Sequence, residues 1–142
     1  MRPVDRFIDF FLTALAPSTR WQRYHFGIGL LSRTVRKVKM RIQTRGLPTG
    51  GFKKELWSHQ QNGEMYRHLY FHLACMLFPG GSLISWAAAL TDKRQASKGR
   101  KESETEVLDN LAGRACGRIL RKFHLKKISH DVCRSKMLKI LS

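Results

Sequence analysis

The sequence predicts a mostly α-helical protein, a compact bundle of five to six short helices in one domain that covers residues 1–142. Three observations lead to this prediction. Apolar residues recur at helical spacing near the N-terminus, a Pro-Gly-Gly sequence at 79–81 interrupts an uncharged stretch, and Ser103 and Glu106 have the spacing of a helix-capping box. The hydrophobic fraction of 42% is ordinary for a folded protein and argues against disorder.

The first predicted helix covers residues 4–15. Asp5 and Asp9 lie away from its apolar face, and Pro17 helps to end it. Its polar side is not rich in Lys and Arg, as membrane-surface helices are, so we expect it to pack on the domain core. The apolar face consists of Val4, Phe7, Ile8, Phe11, Leu12 and Leu15.

Residues 34–44 fit two patterns. Val38, Met40 and Ile42 alternate with polar residues, which fits a strand, but Val38 and Ile42 also continue a helical stripe from Val35. We favour a helix to about residue 40 and keep one short strand near 36–44 as the alternative. The glycine-rich residues 45–52 are predicted to form a loop.

Residues 68–91 contain no Asp, Glu, Lys or Arg, and a stretch of this length is long enough to cross a membrane. The Pro-Gly-Gly sequence at 79–81 interrupts it, so two helices joined there fit the pattern better. We expect this hairpin to form the buried centre of the domain, with Ser82 capping its second helix. A hairpin seated in a membrane is the alternative, and it would make the chain a peripheral membrane protein.

The C-terminal third begins with an exposed basic linker near 93–102. A helix follows to about residue 123, with the Ser103–Glu106 capping box at its start. Gly113 and Gly117 lie one turn apart and allow another helix to approach closely. A final helix is predicted over 130–141. The apolar face predicted for the longer helix consists of Leu108, Leu111, Ala115, Ile119 and Phe123.

The charge of the chain is strongly positive, with 27 Lys and Arg residues against 10 Asp and Glu residues and a net charge of +17. Such an excess costs stability by self-repulsion and indicates a polyanionic partner. Nucleic acid or an anionic protein complex is the expected partner, and the anionic inner-membrane surface is the alternative. The charge pattern does not distinguish DNA from RNA.

The basic residues are clustered. Ten Lys and Arg residues and no acidic residue lie in 20–54, and a second basic stripe follows in 114–127. Lys and Arg neutralise phosphates, and exposed aromatic side chains stack on bases. The residues predicted to bind nucleic acid are Arg20, Trp21, Arg23, Arg33, Arg36, Lys37, Lys39, Arg41, Arg114, Arg118, Arg121 and Lys122.

The cysteines and the N-terminus indicate a cytoplasmic protein. Cys75, Cys116 and Cys133 are odd in number, widely spaced and without a CxxC pair, which favours reduced thiols over a disulfide framework. The apolar run at 7–15 is interrupted by Asp9 and is too short for a signal peptide.

One set of residues has metal-ligand spacing. His68, His72 and Cys75 fall at i, i+4 and i+7 and would share a helical face, where two histidines one turn apart can bind a metal ion. No second motif supplies a fourth ligand, and the aromatic neighbours suit a packed helix. We therefore favour core residues over a metal site and expect no cofactor.

A second set of residues suggests acid–base chemistry. Arg67-His68, together with Asp109-Asn110 and the following Gly113-Arg114, resembles small helical domains of bacterial toxin-like and phage-encoded proteins, in which two such segments face one another. The resemblance implies a hydrolytic site in which His68 is a general base oriented by Asp109. The competing interpretation, which we favour, is a core histidine beside a capped helix.

Residues 1–34 (MRPVDRFIDFFLTALAPSTRWQRYHFGIGLLSRT) are similar to small basic proteins encoded beside replication genes of enterobacterial conjugative plasmids, including the transfer-inhibition type. This similarity implies an intracellular accessory protein that interferes with replication control or conjugal DNA transfer. The sequence contains no Rossmann glycine fingerprint, Walker loop, HExxH or GxSxG motif. We therefore predict a non-enzymatic accessory protein of a plasmid or other mobile element.

Overall fold

The computed structural model describes residues 1–61 and 63–142. Over these ranges the chain forms eight helices and no strand, which confirms the prediction of a mostly helical fold. The helices outnumber the predicted five to six because residues 20–44 form two helices that meet at Arg36 and because an extra single-turn helix follows. The helices are α1 (Pro3–Leu15), α2 (Arg20–Val35), α3 (Lys37–Thr44), α4 (Lys54–Trp57), α5 (Glu64–Cys75), α6 (Gly81–Ser97), α7 (Lys101–His124) and α8 (His130–Leu141).

Helix α5 lies at the centre of the bundle, in contact with α2, α6 and α7. Its Leu69 and Leu73 are fully buried. Helix α1 packs on α7 and α8, and its predicted apolar face is buried as expected. Phe7 makes edge-on contacts with Phe11 and Phe52, which ties α1 to the loop after α3. Helix α8 confirms the final predicted helix and buries Cys133.

The alternative of a short strand near 36–44 is wrong, since residues 37–44 form helix α3 and the favoured helical interpretation holds there. Met40 and Thr44, four residues apart, are buried, while Val38 and Ile42 are 73% and 71% exposed. Burial every fourth residue follows the helical period, so the alternation that fitted a strand does not reflect burial. Helix α3 therefore presents apolar side chains to solvent.

The helical hairpin at 64–97 is confirmed, with the chain turning at Phe78, Pro79 and Gly80. Ser82 does not cap α6; Gly80, with φ at +79°, occupies the N-cap position. Helix α5 is buried as predicted, but α6 is not, since its outer side exposes three large apolar residues. These are Leu83, Ile84 and Trp86.

Helix α6 also extends further than predicted. It continues to Ser97, so the connection that we expected at 93–102 is reduced to residues 98–100. Within the described part of the chain, no helix combines the length and the apolar character needed to cross a membrane.

Helix α7 approaches α5 closely along its glycines, as predicted. A Cβ atom on Gly117 would lie 2.5 Å from Cβ of Met76, and one on Gly113 would lie 3.0 Å from Cβ of His72. The predicted apolar face of α7 is wrong in its first half, since Leu108 and Leu111 are 39% and 54% exposed, whereas Ile119 and Phe123 pack against the core. Close packing requires small side chains, so the side of α7 that carries Gly113 and Gly117 turns inward, together with Leu120.

The predicted capping box at Ser103 is also wrong. Helix α7 begins at Lys101, and Ser103 is its third residue and is buried. The side chain of Glu106 therefore does not accept a hydrogen bond from an N-cap residue at position 103. A capping box exists instead at α2, where the backbone N–H of Gln22 donates to Oγ1 of Thr19 (3.2 Å) and the N–H of Thr19 donates to Oε1 of Gln22 (2.7 Å).

Candidate functional site

The structure brings most of the predicted nucleic-acid-binding residues to the surface. Arg114 is half-buried, and Arg23 is an exception described below. We call the end of α2 together with α3 the basic face. Its exposed cations are Arg33, Arg36, Lys37, Lys39 and Arg41, and Arg45, which the sequence prediction missed, adds a sixth.

A second cationic group lies at the other end of α2. Arg20 and Trp21 are exposed there, and Arg121 of α7 is close enough to influence the same buried guanidinium as Arg20. Helix α2 has 16 residues, so the two groups are separated by about 24 Å at 1.5 Å per residue. The remaining predicted cations of α7, Arg118 and Lys122, are also exposed.

Arg23 cannot contact a nucleic acid, because it is only 1% exposed. Its Nε donates to the carbonyl oxygen of Leu77 (3.2 Å), and its Nη1 donates to Nδ1 of His124 (2.8 Å). Burial lowers the pKa of Arg23. This prediction failed because an arginine in a basic segment was assumed to face solvent, whereas Arg23 lies on the side of α2 that faces α5 and α7.

A polar cluster lies between α5, α6 and α7, and we call it the His68 cluster: Glu64, His68, Asp92, Glu106 and Asn110. Glu64 and His68 lie one turn apart on α5, Asp92 is on α6, and the other two are on α7. Three of the ten acidic residues of this basic chain are therefore gathered around one histidine.

The hydrogen bonds of the cluster fix the orientation of the imidazole of His68. Nδ2 of Asn110 donates to Oδ2 of Asp92 (2.7 Å), so the amide oxygen of Asn110 faces the ring and accepts from Nδ1 of His68 (3.2 Å). Nε2 of His68 is then directed at two carboxylates, 3.7 Å from Oε2 of Glu64 and 3.6 Å from Oε1 of Glu106. This Nε2 atom is buried and has no hydrogen-bond partner within residues 1–61 and 63–142.

The electrostatics of the cluster follow from burial and mutual charge. Burial works against the charged form of His68, but Glu64 and Glu106 outweigh it and raise the pKa of the imidazole. Burial and the neighbouring Asp92 raise the pKa of Glu106 to about 7. Glu64 has a lowered pKa, because His68, Arg67 and Arg41 together outweigh its burial.

The predicted pairing of His68 with Asp109 does not form. Asp109 lies one turn beyond Glu106 on α7, is completely buried, and accepts a hydrogen bond from Gln60. Burial raises the pKa of Asp109 to about 9, so its carboxyl group is neutral at pH 7. Glu106 occupies the position facing His68 that the resemblance to toxin-like domains assigned to Asp109.

The donor atoms of His68, His72 and Cys75, which have metal-ligand spacing in the sequence, do not come together either. Nδ1 of His72 lies 2.7 Å from Oγ of Ser85, and burial lowers the pKa of His72 to about 3. Cys75 is buried at the end of α5, with the backbone of Gly81 packed on its carbonyl group. The donor atoms that do come together, within 4.8 Å of one another, belong to Glu64, His68 and Glu106. The Glu-x-x-x-His spacing of 64 and 68 was the sequence signal for this set.

The cluster opens onto a groove of about 360 Å³ that separates it from the basic face. Arg67 and Phe71 of α5 and Ala88 of α6 form part of its wall, and Val35 and Lys37 extend the wall to the junction of α2 and α3. An anionic molecule bound along the basic face would therefore pass close to His68 and Glu106. Comparison of the chain with models of known protein families, with curated proteins and with solved structures finds no match.

Proposed function

We propose that the protein binds nucleic acid through the basic face and through the cations at the other end of α2. The observation that supports this function is the separation of charges on the molecule. The cations of α3 are exposed, whereas the acidic residues are largely withdrawn from the surface that carries them. A surface that carries only positive charge attracts a polyanion, and the cations condensed on the polyanion are released when the two bind.

Most acidic residues are buried or paired. Glu64, Asp92 and Glu106 lie in the His68 cluster, and Asp109 is fully buried next to it. Asp5 and Asp9 of α1 accept hydrogen bonds from Arg134 at 2.9 and 3.1 Å. Five of the ten acidic residues are thus unavailable to neutralise the basic face, and the sixth, Glu64, lies 3.7 Å from Nε of Arg41.

The extent of the cationic surface suits a duplex or a strand. The length of α2, about 24 Å, corresponds to about seven base pairs at 3.4 Å each. Trp21 is 73% exposed at the far end of this surface, where an indole ring can stack on an unpaired base. Phosphate contacts along α2 and α3 give affinity without sequence preference.

An anionic membrane surface is the competing partner. Val38 and Ile42 project from α3 between its cations, as apolar residues do in helices that lie on membranes. Helix α3 has only eight residues, however, and Met40 and Thr44 hold it against the bundle. A second group of cations also lies at the far end of α2, about 24 Å away, which favours an elongated partner.

A cellular role for this binding rests on the sequence resemblance of residues 1–34 alone. We propose that the protein is an accessory factor of a plasmid or other mobile element that modulates conjugal transfer or replication. The test is the transfer frequency of a conjugative plasmid in cells with and without the protein. An unchanged transfer frequency and plasmid copy number would contradict this role and leave the binding proposal standing.

The binding proposal is tested by fluorescence anisotropy with labelled duplex DNA, single-stranded DNA and RNA over a range of salt concentrations. The double variant Lys37→Gln/Lys39→Gln should bind more weakly than wild type. If each lysine contacts one phosphate, the slope of log K against log salt should fall by about two. The matched control is Lys136→Gln/Lys139→Gln, which removes the same charge from the exposed side of α8.

Three outcomes would contradict nucleic-acid binding through the basic face. One is the absence of binding to all three probes at low salt. Another is an equal loss of affinity in the α8 control, which would show that only net charge matters. The third is binding to phosphatidylglycerol vesicles alone, which would identify a membrane as the partner.

A further inference from the structure

We propose that Glu64, His68 and Glu106 bind a divalent transition-metal ion. The three side chains come from two helices, α5 and α7, and each offers one donor atom. This site does not depend on nucleic-acid binding, since none of its three ligands belongs to the basic face.

The distances between the donor atoms suit a metal ion. Bonds of about 2.0–2.1 Å arranged tetrahedrally separate neighbouring donors by about 3.3 Å. Nε2 of His68 lies 3.7 Å from Oε2 of Glu64 and 3.6 Å from Oε1 of Glu106. Small side-chain rotations therefore bring all three atoms to bonding distance of one ion.

The imidazole of His68 is also oriented as a metal ligand, and this orientation supports the site independently of the distances between the donor atoms. Metal-binding histidines commonly donate the N–H that faces away from the metal to an oxygen, which fixes the ring. Nδ1 of His68 makes that bond to Asn110, and Asn110 is held in turn by Asp92. Nε2, the ring nitrogen that remains for a metal ion, then points between the two carboxylates and has no hydrogen-bond partner among the described residues.

The charges around the site favour a dication. Glu64, Glu106 and Asp92 surround His68, and Arg67 and Arg41 are the cations that contact Glu64. Arg67 bonds the oxygen of Glu64 that faces His68, but a carboxylate oxygen has two lone pairs and can accept this bond while it coordinates a metal. Three carboxylates are thus gathered at one point of a chain with net charge +17, and a bound dication would offset their mutual repulsion.

The donor set indicates the class of metal. One imidazole nitrogen and two carboxylate oxygens suit Zn²⁺, Mn²⁺, Fe²⁺ or Co²⁺. The mixed set is less typical of Mg²⁺ and Ca²⁺, which take oxygen ligands, and no thiolate takes part. Three protein ligands also leave coordination positions free, and the groove beside His68 and Glu106 gives water or an anionic group access to them.

The test uses the full chain, stripped with a chelator and dialysed, and titrated with Zn²⁺ and with Co²⁺ by calorimetry. We expect one ion per chain. Glu106→Gln and His68→Asn should each weaken binding by at least about tenfold. The matched controls are Glu104→Gln, on the exposed side of α7, and His130→Asn, an exposed histidine on α8, and both should bind as wild type does.

A spectroscopic measurement keeps the test independent of whether the variants fold. In the wild-type protein, Zn²⁺ should shift the imidazole ¹⁵N signal of Nε2 of His68 while Nδ1 keeps its proton. Glu106→Asp, which retains the charge but withdraws the carboxylate by one methylene group, should weaken binding with an unchanged circular dichroism spectrum.

The proposal is overturned if the stripped wild-type protein takes up neither ion at micromolar concentrations. It is equally overturned if folded Glu106→Gln and His68→Asn bind as wild type does, or if the shifted signals belong to His72 or His130.

Discussion

The guanidinium of Arg23 donates a hydrogen bond to Nδ1 of His124, 2.8 Å away and 101 residues further along the chain. Nε2 of His124 in turn donates to the carbonyl oxygen of Ser18 (2.9 Å), so the imidazole is neutral and its acceptor nitrogen faces the cation. The same guanidinium reaches the carbonyl oxygen of Leu77 beyond α5. One buried arginine therefore joins the start of α2 to the ends of α5 and α7.

The first prediction concerns this arginine. Arg23→Met should lower the free energy of unfolding by about 2–3 kcal/mol, because it leaves the carbonyl of Leu77 and Nδ1 of His124 without a donor. Arg20→Met, one turn away and exposed, should change it by less than about 0.5 kcal/mol. Urea unfolding followed by circular dichroism measures both, and equal stabilities would refute the structural role of Arg23.

The second prediction concerns the loss of stability at acid pH that is caused by His72. Burial lowers the pKa of His72 to about 3, whereas an unfolded histidine titrates near about 6.5. Below pH 6.5 the unfolded chain takes up a proton that the folded chain does not, so stability is complete above this pH and falls as the pH approaches 3. The contribution of this one proton is at most about 1.4 kcal/mol per pH unit.

The variant His72→Gln isolates this effect. Its free energy of unfolding should be lower than that of wild type at neutral pH but should depend less steeply on pH in the acid range. His25→Gln, which removes an exposed histidine from α2, should retain the wild-type slope. A His72→Gln variant with the full wild-type slope would show that other groups cause the acid sensitivity.

The third prediction compares two glycines in helices. Gly117→Ala should destabilise the fold by about 1–3 kcal/mol, because the new Cβ would lie 2.5 Å from Cβ of Met76 and force α5 and α7 apart. Gly29→Ala should stabilise it by about 0.5–1 kcal/mol, since its Cβ would meet nothing within 4 Å and alanine favours the helix. Thermal melts should therefore shift in opposite directions, and shifts of the same sign would contradict the packing described for α7.

The fourth prediction distinguishes the true helix cap from the apparent one. Thr19→Ala should cost about 1 kcal/mol, because it removes the oxygen that accepts from the N–H of Gln22 at the start of α2. Ser103→Ala should cost less than about 0.5 kcal/mol, since Ser103 lies inside α7 and caps nothing. If urea unfolding showed that Ser103→Ala costs more than Thr19→Ala, Ser103 would be a helix cap, as the sequence predicted.

The sequence was sufficient for those features that depend on local patterns. The apolar face of α1, the hairpin around 79–81 and the close approach at Gly113 and Gly117 all follow from spacing, and the structure contains each of them. Local patterns failed where a tertiary contact decided the outcome. The rotation of α7 is the main example, since its contact with α5 buries Asp109 and exposes Leu111.

The candidate site was predicted only in part for the same reason. His68 was identified from the sequence, but its partner Glu106 had been assigned to a helix cap, and Asn110 was noted only as a neighbour of Asp109. The position of Arg23 depends on acceptors 54 and 101 residues away. Partners this distant leave no periodic signal in one sequence.

Glu64 of the His68 cluster also contacts the basic face. One of its oxygens lies 3.7 Å from Nε of Arg41 on α3, and the other faces His68 and accepts from Arg67. The carboxylate that restrains the basic face is thus also a proposed metal ligand. An ion bound by Glu64 would weaken the attraction between this carboxylate and Arg41, and would thereby change the affinity of α3 for phosphates. By thermodynamic reciprocity, a phosphate bound to α3 would change the affinity for the ion by the same factor.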